Sequence, residues 1–315
     1  MKLYLGVDGG QSSTTALVGD ENGRVTGMGR GGPCNHAGGA EAREKFVGAI
    51  RACVREALNG ADAQFECASF GFSGGPEDKD ALAREIVRAA KYVFAHDALI
   101  ALTGATAGEP GIVAIAGTGS IAYGRNPEGR VARAGGWGFV FGDEGSAFDI
   151  VRQSLRAALR FEEGWGPRTA LRDVLLEATG AWNVNDLLHR FYTDAFPRTR
   201  VASLAKLIEE TAGAGDAVAR DLLNAAAQSL ATFASAVRGQ LFRPGEIACV
   251  SYIGGVFRSG IVLDRFKALM ELDEANRVDA PKFGPAAGAL MEAYRAAGIS
   301  VTLQGALPEK DSSGV

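Results

Sequence analysis

Cysteine and histidine are scarce in this sequence, and their spacing does not suit a metal site. The 315 residues include four cysteines, at positions 34, 53, 67 and 249, and three histidines. No two cysteines form a CxxC pair, so the ligand spacing of a zinc finger or of an intrachain iron–sulfur site is missing. Scattered cysteines favour a reducing compartment, and we therefore expect a cytoplasmic protein.

Long apolar runs and clusters of basic residues are also missing. The opening residues 1–8, MKLYLGVD, are too short an apolar run for a signal peptide, and Asp8 interrupts them. No stretch approaches the roughly 20 apolar residues of a membrane-spanning helix. The net charge of -4 argues weakly against a nucleic-acid partner. We expect a small-molecule partner, with no membrane and no nucleic acid.

Glycine, in contrast, is abundant and clustered. It supplies 43 of 315 residues, about twice the usual share of roughly 7%. The clusters lie at 6–10, 71–75, 117–124, 135–145 and 254–255. Glycine between apolar runs indicates tight turns, or backbone held directly against a ligand.

The order of predicted elements repeats along the chain. Three strands, a helix, a strand and a helix are predicted first, and the pattern then restarts with three more strands. The predicted strands cover 3–7, 15–19, 24–29, 67–72, 92–95, 111–116, 121–125, 131–134 and 247–253. The predicted helices cover 41–58, 79–90, 98–106, 146–159, 169–179, 184–192, 201–212, 216–240, about 261–271 and 284–297. This repeat predicts two similar α/β domains with a cleft between them.

The domain boundaries follow from the same pattern. An N-terminal domain is expected over 1–110 and a larger C-terminal domain over 111–283. A closing helix over 284–298 is expected to pack on the N-terminal domain. Residues 303–315 are expected to form a flexible tail, because the chain from 305 onward is polar.

Three glycine-rich turns could bind a nucleotide. The first two suit phosphates, because small residues in a hairpin expose backbone N–H groups and hydroxyls, and the third suits an adenosine at a helix start. Each turn alone could equally be an ordinary tight connection, and none is a P-loop. The residues concerned are Gly9, Gly10, Gln11, Ser12, Ser13 and Thr14; Gly117, Thr118 and Gly119; and Gly254, Gly255 and Val256.

In this order the turns resemble the phosphate-1, phosphate-2 and adenosine motifs of the acetate and sugar kinase/Hsp70/actin superfamily. GGWG at 135–138, followed by GDEGSA at 142–147, narrows the resemblance to the N-acetylglucosamine kinase and BadF/BadG/BcrA/BcrD ATPase family. The resemblance spans roughly residues 3–297. It implies two actin/hexokinase-like (RNase H-like) domains, ATP as phosphate donor, and Mg²⁺ positioned by Asp8 through water.

Asp97 stands where the family has its catalytic base, between a predicted strand and a helix and twenty residues before Gly117. The chemistry independently requires a carboxylate that accepts a proton from the attacking sugar hydroxyl. A lone aspartate at a helix start is more often an N-cap, and Asp97 can serve both roles.

Further positions match sugar-binding residues of the family, which need directional hydrogen bonds to hydroxyls. Ile121 departs from the family, because vertebrate N-acetylglucosamine kinases carry an asparagine there. Gln11 and Ser13 also depart from the common first loop, so the identity of the sugar stays open. The matching positions are Asn35, Ser73, Asp97, Thr118, Trp137, Gly138 and Asp143.

The sequence therefore predicts an ATP-dependent kinase of a hexose or amino sugar, such as N-acetylglucosamine, glucosamine or glucose, acting at the 6-hydroxyl. One alternative is a BadF-type ATPase that activates a partner enzyme, although suitable cluster-binding cysteines are missing. A sugar-responsive repressor would need a DNA-binding segment and a zinc motif that the sequence lacks. The oligomeric state stays open, with a homodimer as one option.

Overall fold

The computed structural model describes residues 1–10, 13–34, 40–72, 79–305 and 307. The chain divides into two compact units, each made of separate stretches of sequence. The first unit contains Met1–Val113, Tyr123–Arg130 and the chain from Asp279 onward. The second unit contains Ala114–Ala122 and Val131–Val278.

Ten strands in the described residues form two five-stranded sheets. The first sheet has the order β3-β2-β1-β4-β5, and the second has the order β10-β9-β6-β7-β8. The strands are β1 (Leu3–Gly9), β2 (Thr14–Asp20), β3 (Val25–Gly31), β4 (Phe65–Phe72), β5 (Ala89–His96), β6 (Gly111–Ala116), β7 (Ser120–Arg125), β8 (Val131–Gly135), β9 (Ala248–Ile253) and β10 (Asn276–Val278).

Helices cover the sheets and form much of the second unit. A short 3₁₀-helix at Gly255–Arg258 precedes the last but one α-helix. The α-helices in the described residues are α1 (Ala40–Ala57), α2 (Asp80–Ile86), α3 (Asp97–Ala105), α4 (Gly138–Phe141), α5 (Ala147–Glu162), α6 (Leu171–Thr179), α7 (Val184–Phe191), α8 (Arg198–Ser203), α9 (Ala205–Gly213), α10 (Ala217–Leu241), α11 (Gly260–Met270) and α12 (Pro285–Ala296).

The central strands of the first sheet, β1, β2 and β4, are buried on both faces. Successive side chains of a strand point to opposite faces, and in β1 each face packs against a different helix. Leu5 lies in a cluster with Ile50 of α1. Tyr4 packs on the other face against Tyr294 of α12, with ring centroids 4.6 Å apart. This double burial fixes the strand ends that carry the site described below.

The predicted fold class is confirmed, since two α/β units with two mixed sheets are present. The prediction for residues 79–90 is wrong in part, because the helix ends at Ile86 and β5 begins at Ala89. Pairing of Ala89 with Phe65 of β4 overrides the helical preference of alanine. The helix predicted over 201–212 is divided between α8 and α9, and β10, only three residues long, was not predicted.

The start of the expected tail is held by the first unit. Leu303 is buried, and the backbone of Gln304 hydrogen-bonds to Gly23 and Val25. The expectation of flexibility is therefore wrong for these two residues; positions 306 and 308–315 lie outside the described residues. Among the helices that the structure describes, none combines the length and the hydropathy needed to span a membrane.

Candidate functional site

The parallel strands of the first sheet bring Asp8 and Asp97 to one edge. Asp8 pairs in register with Gly71 of β4, and Gly71 pairs with Ala95 of β5. One residue further along, β4 pairs with His96, and α3 begins at Asp97. The carboxyl ends of parallel strands lie at a common edge, so two carboxylates 89 positions apart in sequence become neighbours.

The charge of Asp97 acts on Asp8. Burial and the negative charge of Asp97 together raise the pKa of Asp8 to about 7. Both causes act by destabilising the charged form of Asp8. A cation bound at this edge would stabilise the charged form of Asp8 and so offset both effects. Mg²⁺ is commonly held by one or two carboxylates together with substrate phosphates. The residues present therefore fit a Mg²⁺ ion.

Asp97 is oriented by its own helix terminus. Its Oδ1 accepts the backbone N–H of Ala98 at 2.8 Å and lies 2.6 Å from Nδ1 of His96. About a third of its side chain is exposed. The side chain thus fixes the helix start while it stays accessible at the sheet edge.

The first glycine turn joins β1 to β2. Gly10 donates its N–H to the carbonyl of Ser13 at 3.0 Å and accepts the N–H of Cys34 at 2.9 Å. Thr14 is buried, and its hydroxyl donates to the carbonyl of Gly32, so its side chain supports the turn. Gln11 and Ser12 lie outside the described residues.

Two of the predicted sugar-binding positions, Asn35 and Ser73, also lie outside the described residues. The structure does describe the residues before them in sequence. Cys34, beside Asn35, is buried and is held against Gly10 by a backbone hydrogen bond. Phe72, beside Ser73, ends β4 next to Gly9 of β1.

In the second unit, the other two glycine turns touch each other. A Cβ on Gly254 would overlap the carbonyl of Ala116, immediately before Gly117. Gly254 also has a φ of 113°, which favours glycine. At Gly117 an added Cβ would meet nothing within 4 Å, so the backbone there is open to a ligand. Val256 is buried, and only its backbone is available to a nucleotide.

Asp143 is tied to the loop at 117–120. It has a φ of 61°, unusual for a residue other than glycine, and its Oδ1 accepts the N–H of Ser120 at 3.3 Å. The Ser120 hydroxyl donates to the carbonyl of Glu144 at 2.7 Å. The GDEGSA segment and the glycine turn at 117–119 are therefore joined by hydrogen bonds through Ser120.

Trp137 and Gly138 precede this segment. Trp137 is 67% exposed, and the guanidinium of Arg133 lies over its ring, 4.9 Å from the centroid. Gly138 has a φ of 79°, and an added Cβ would meet nothing within 4 Å. An exposed indole beside open backbone could pack against the apolar face of a sugar ring.

Sequence reasoning missed Arg198. Its Nη2 lies 2.5 Å from Oδ2 of Asp143 and donates to the carbonyl of Thr118 at 3.2 Å. Nothing in the sequence marks it, because Arg200 stands two residues later in the same short helix. Only the fold brings position 198 next to residues 55 and 80 positions earlier in sequence.

Comparisons with known proteins agree with one another. The sequence model of the BadF/BadG/BcrA/BcrD ATPase family matches residues 5–293. The N-acetylmuramic acid/N-acetylglucosamine kinase of Clostridium acetobutylicum is 30% identical over 282 residues, which are 87% of this chain and 92% of that protein. The N-acetyl-D-glucosamine kinase of Dictyostelium discoideum is 30% identical over 293 residues, covering 86% of this chain and 91% of that protein.

Among solved structures, that of a candidate N-acetylglucosamine kinase from Chromobacterium violaceum is similar, with a TM-score of 0.76. It is 24% identical in sequence, and the match covers 92% of this chain and 98% of that one. At this level of identity the similarity shows a shared fold.

Proposed function

The chain belongs to the BadF/BadG/BcrA/BcrD ATPase family, and we propose that it is an ATP-dependent kinase that phosphorylates an amino sugar. The observation that carries the proposal is the position of Asp8 and Asp97 at one sheet edge, where the charge of Asp97 contributes to the raised pKa of Asp8. Phosphoryl transfer needs these two carboxylates, one toward a metal and one toward the acceptor. The names of the two curated relatives supply the acceptor class.

Asp97 is the proposed general base. As the sugar oxygen forms its bond to the γ-phosphorus, the bond from that phosphorus to the β,γ-bridging oxygen breaks and ADP leaves. The proton of the sugar hydroxyl passes to Asp97. Since Oδ1 already contacts Ala98 and His96, Oδ2 is the oxygen that would take it. We propose the 6-hydroxyl as acceptor, because a primary hydroxyl is the least crowded on the ring.

The phosphates would lie on the backbone of the turns at 9–14 and 117–119, and the adenosine on Gly254, Gly255 and the backbone of Val256. Open backbone at Gly117 supports this assignment. Asp8 would hold Mg²⁺ through water, and the ion would neutralise charge on the phosphates. Binding of the cation favours the charged form of Asp8, which offsets the raised pKa of that residue.

The sugar is assigned to Asn35, Ser73, Thr118, Trp137, Gly138 and Asp143. Asp143 supports this role in the described part of the chain, since it is buried and its Oδ1 accepts the N–H of Ser120. N-acetylglucosamine, glucosamine and glucose are the proposed substrates, and the cytoplasm, where ATP is available, is the proposed location.

A role as the ATPase activator of a partner enzyme is the alternative. Such an activator would hold an iron–sulfur cluster through accessible cysteines. Here Cys34, Cys53 and Cys67 are buried, and Cys249 is partly buried. No cluster of three or more His, Cys, Asp or Glu side chains suited to a metal occurs among the residues that the structure describes. The kinase is therefore the better-supported function.

A coupled assay of ADP release over a panel of acceptors tests the proposal. The panel contains N-acetylglucosamine, glucosamine, N-acetylmuramic acid, glucose, ribose, glycerol and acetate. We expect turnover with at least one amino sugar, dependence on Mg²⁺, and a product whose phosphate position NMR identifies as carbon 6. Hydrolysis of ATP at one rate with every acceptor, with no phosphorylated sugar formed, would favour the activator ATPase.

A further inference from the structure

We propose that Arg198 is a positioning residue for sugar binding, which holds Asp143 and the loop at 117–120 in a single arrangement. This inference rests on the proposed function. The guanidinium contacts both partners with one nitrogen, at 2.5 Å from Asp143 and 3.2 Å from Thr118. It thereby links two motifs that the sequence separates.

The position of Arg198 is itself well defined. The residue begins α8 after Pro197, and its guanidinium carbon lies 5.3 Å from the ring centroid of Phe139 in α4. The guanidinium therefore contacts three segments, which contain Asp143, Thr118 and Phe139. Arginine suits such a site, because its planar fork donates several hydrogen bonds in fixed directions.

Asp143 depends on Arg198 for charge compensation. Burial raises the pKa of Asp143, while the N–H of Ser120 and the positive charge of Arg198 oppose that rise. The negative charges of Glu144 and Asp149 act in the same direction as burial. Arg198 is thus the cation that favours an ionised Asp143, and an ionised carboxylate accepts hydrogen bonds from sugar hydroxyls more strongly.

The loop at 117–120 has hydrogen bonds that do not involve Arg198. Loss of Arg198 should therefore weaken binding of the sugar more than binding of ATP. Gly117 donates to Gly119 within the loop and accepts the N–H of Ala147. Ser120 accepts the N–H of Gly136 at its carbonyl, and its hydroxyl donates to the carbonyl of Glu144. The Oδ2 atom of Asp143, in contrast, faces Arg198.

The experiment compares Arg198→Gln and Arg198→Lys with the matched control Arg200→Gln. Arg200 is exposed, donates to the carbonyl of Ala195 and lies over Phe196. We expect Arg198→Gln to raise the KM for the sugar about 10- to 100-fold, the size of a lost charged hydrogen bond. The KM for ATP and kcat should change less, and the control should match the wild type.

The pH dependence of kcat/KM distinguishes a positioning role of Arg198 from a purely structural one. Without Arg198 the pKa of Asp143 rises, so the acidic limb of kcat/KM for the sugar should move to higher pH. Arg198→Lys should return the acidic limb to lower pH, because lysine restores the positive charge. In an Asp143→Asn background, Arg198→Gln should add little to the loss. A lower melting temperature with an unmoved acidic limb would overturn the proposal.

One measurement does not depend on turnover. Carbon-13 NMR of the Asp143 carboxyl should give a higher pKa in Arg198→Gln than in wild type or Arg200→Gln. An equal pKa in all three proteins would overturn the inference even if the enzyme phosphorylates amino sugars. A raised pKa in a protein that turns over no sugar would show that Arg198 controls the ionisation of Asp143, but it would reject the proposed function and with it the role in sugar binding.

Discussion

The Oδ1 atom of Asp97 lies 2.6 Å from Nδ1 of His96, the residue immediately before it. A carboxylate can only accept, so this contact is a hydrogen bond when Nδ1 carries a proton, whereas an unprotonated Nδ1 accepts the N–H of Ala98 at 3.3 Å. The Oδ1 atom of Asp97 also accepts the N–H of Ala98. Two neighbours in sequence thereby orient Asp97 through Oδ1.

Asp97→Asn should lower kcat by about 10²–10⁴, the usual contribution of a general base. The affinities for sugar and ATP should stay close to those of the wild type, because an amide has nearly the same shape. Steady-state kinetics and calorimetric titration of sugar with the variant measure both quantities.

Asp80→Asn is the matched control for Asp97→Asn. Asp80 also occupies the first position of a helix, and its Oδ1 accepts the N–H of Ala81 at 2.7 Å. If both variants lost only stability and kept their kcat, Asp97 would be a helix cap and the base would lie elsewhere.

Ile121→Asn should increase selectivity for N-acetylated sugars. Ile121 packs against Gly136, where an added Cβ would lie 2.7 Å from its Cδ1 atom, and so borders the turn that leads to Trp137. An amide there could hydrogen-bond an acetamido group, and we expect the ratio of kcat/KM for N-acetylglucosamine over glucose to rise about tenfold. The ratio should be unchanged in Ile121→Val; an equal ratio in all three proteins would place the acetamido group elsewhere.

Gly288→Ala should destabilise the first unit and reduce turnover. A Cβ at Gly288 in α12 would overlap the carbonyl of Ile100 in α3, and backbone cannot move as a side-chain end can. Overpacking of this kind costs about 3 kcal/mol of unfolding free energy. Because Asp97 begins α3, kcat should fall as well. Urea unfolding and steady-state kinetics measure the two effects.

Gly48→Ala is the control for this substitution. Gly48 lies inside α1, and an added Cβ there would meet nothing within 4 Å. Alanine should stabilise that helix by about 0.5–1 kcal/mol and leave kcat unchanged. Equal effects of the two substitutions would contradict the close approach of α3 and α12.

Candidate site residues that stand beside apolar strands could be predicted from the sequence alone. Asp8 lies at the end of an apolar strand and Asp97 directly follows another, and strand β6 was predicted with the bounds that the structure has. Arg198 was not predictable, because it resembles Arg200 locally and acquires its role only through contacts 55 and 80 positions away. β10 has three residues and depends on pairing with β9, a contact that periodicity over so few residues cannot indicate.

Asp216→Ala should destabilise the second unit in a pH-dependent way. Asp216 caps α10, where its carboxylate accepts the N–H of Ala219 and Ala170 and the hydroxyl of Thr169. Burial acts to raise the pKa of Asp216, but these hydrogen bonds outweigh it, and the pKa is lowered. A carboxyl group with a lowered folded-state pKa stabilises the fold above its unfolded pKa of about 4. That contribution is lost as the pH falls through the folded value.

At pH 7 we therefore expect Asp216→Ala to lower the unfolding free energy by about 1–2 kcal/mol, the range for a lost N-cap. The difference from wild type should shrink as the pH is lowered below about 4, where the wild-type carboxylate also becomes protonated. Asp221→Ala, an exposed position in the same helix, should change stability by less than about 0.5 kcal/mol. Urea unfolding of the three proteins between pH 3 and 7 measures these differences. A loss for Asp216→Ala that is the same at every pH would show that the cap acts without its charge.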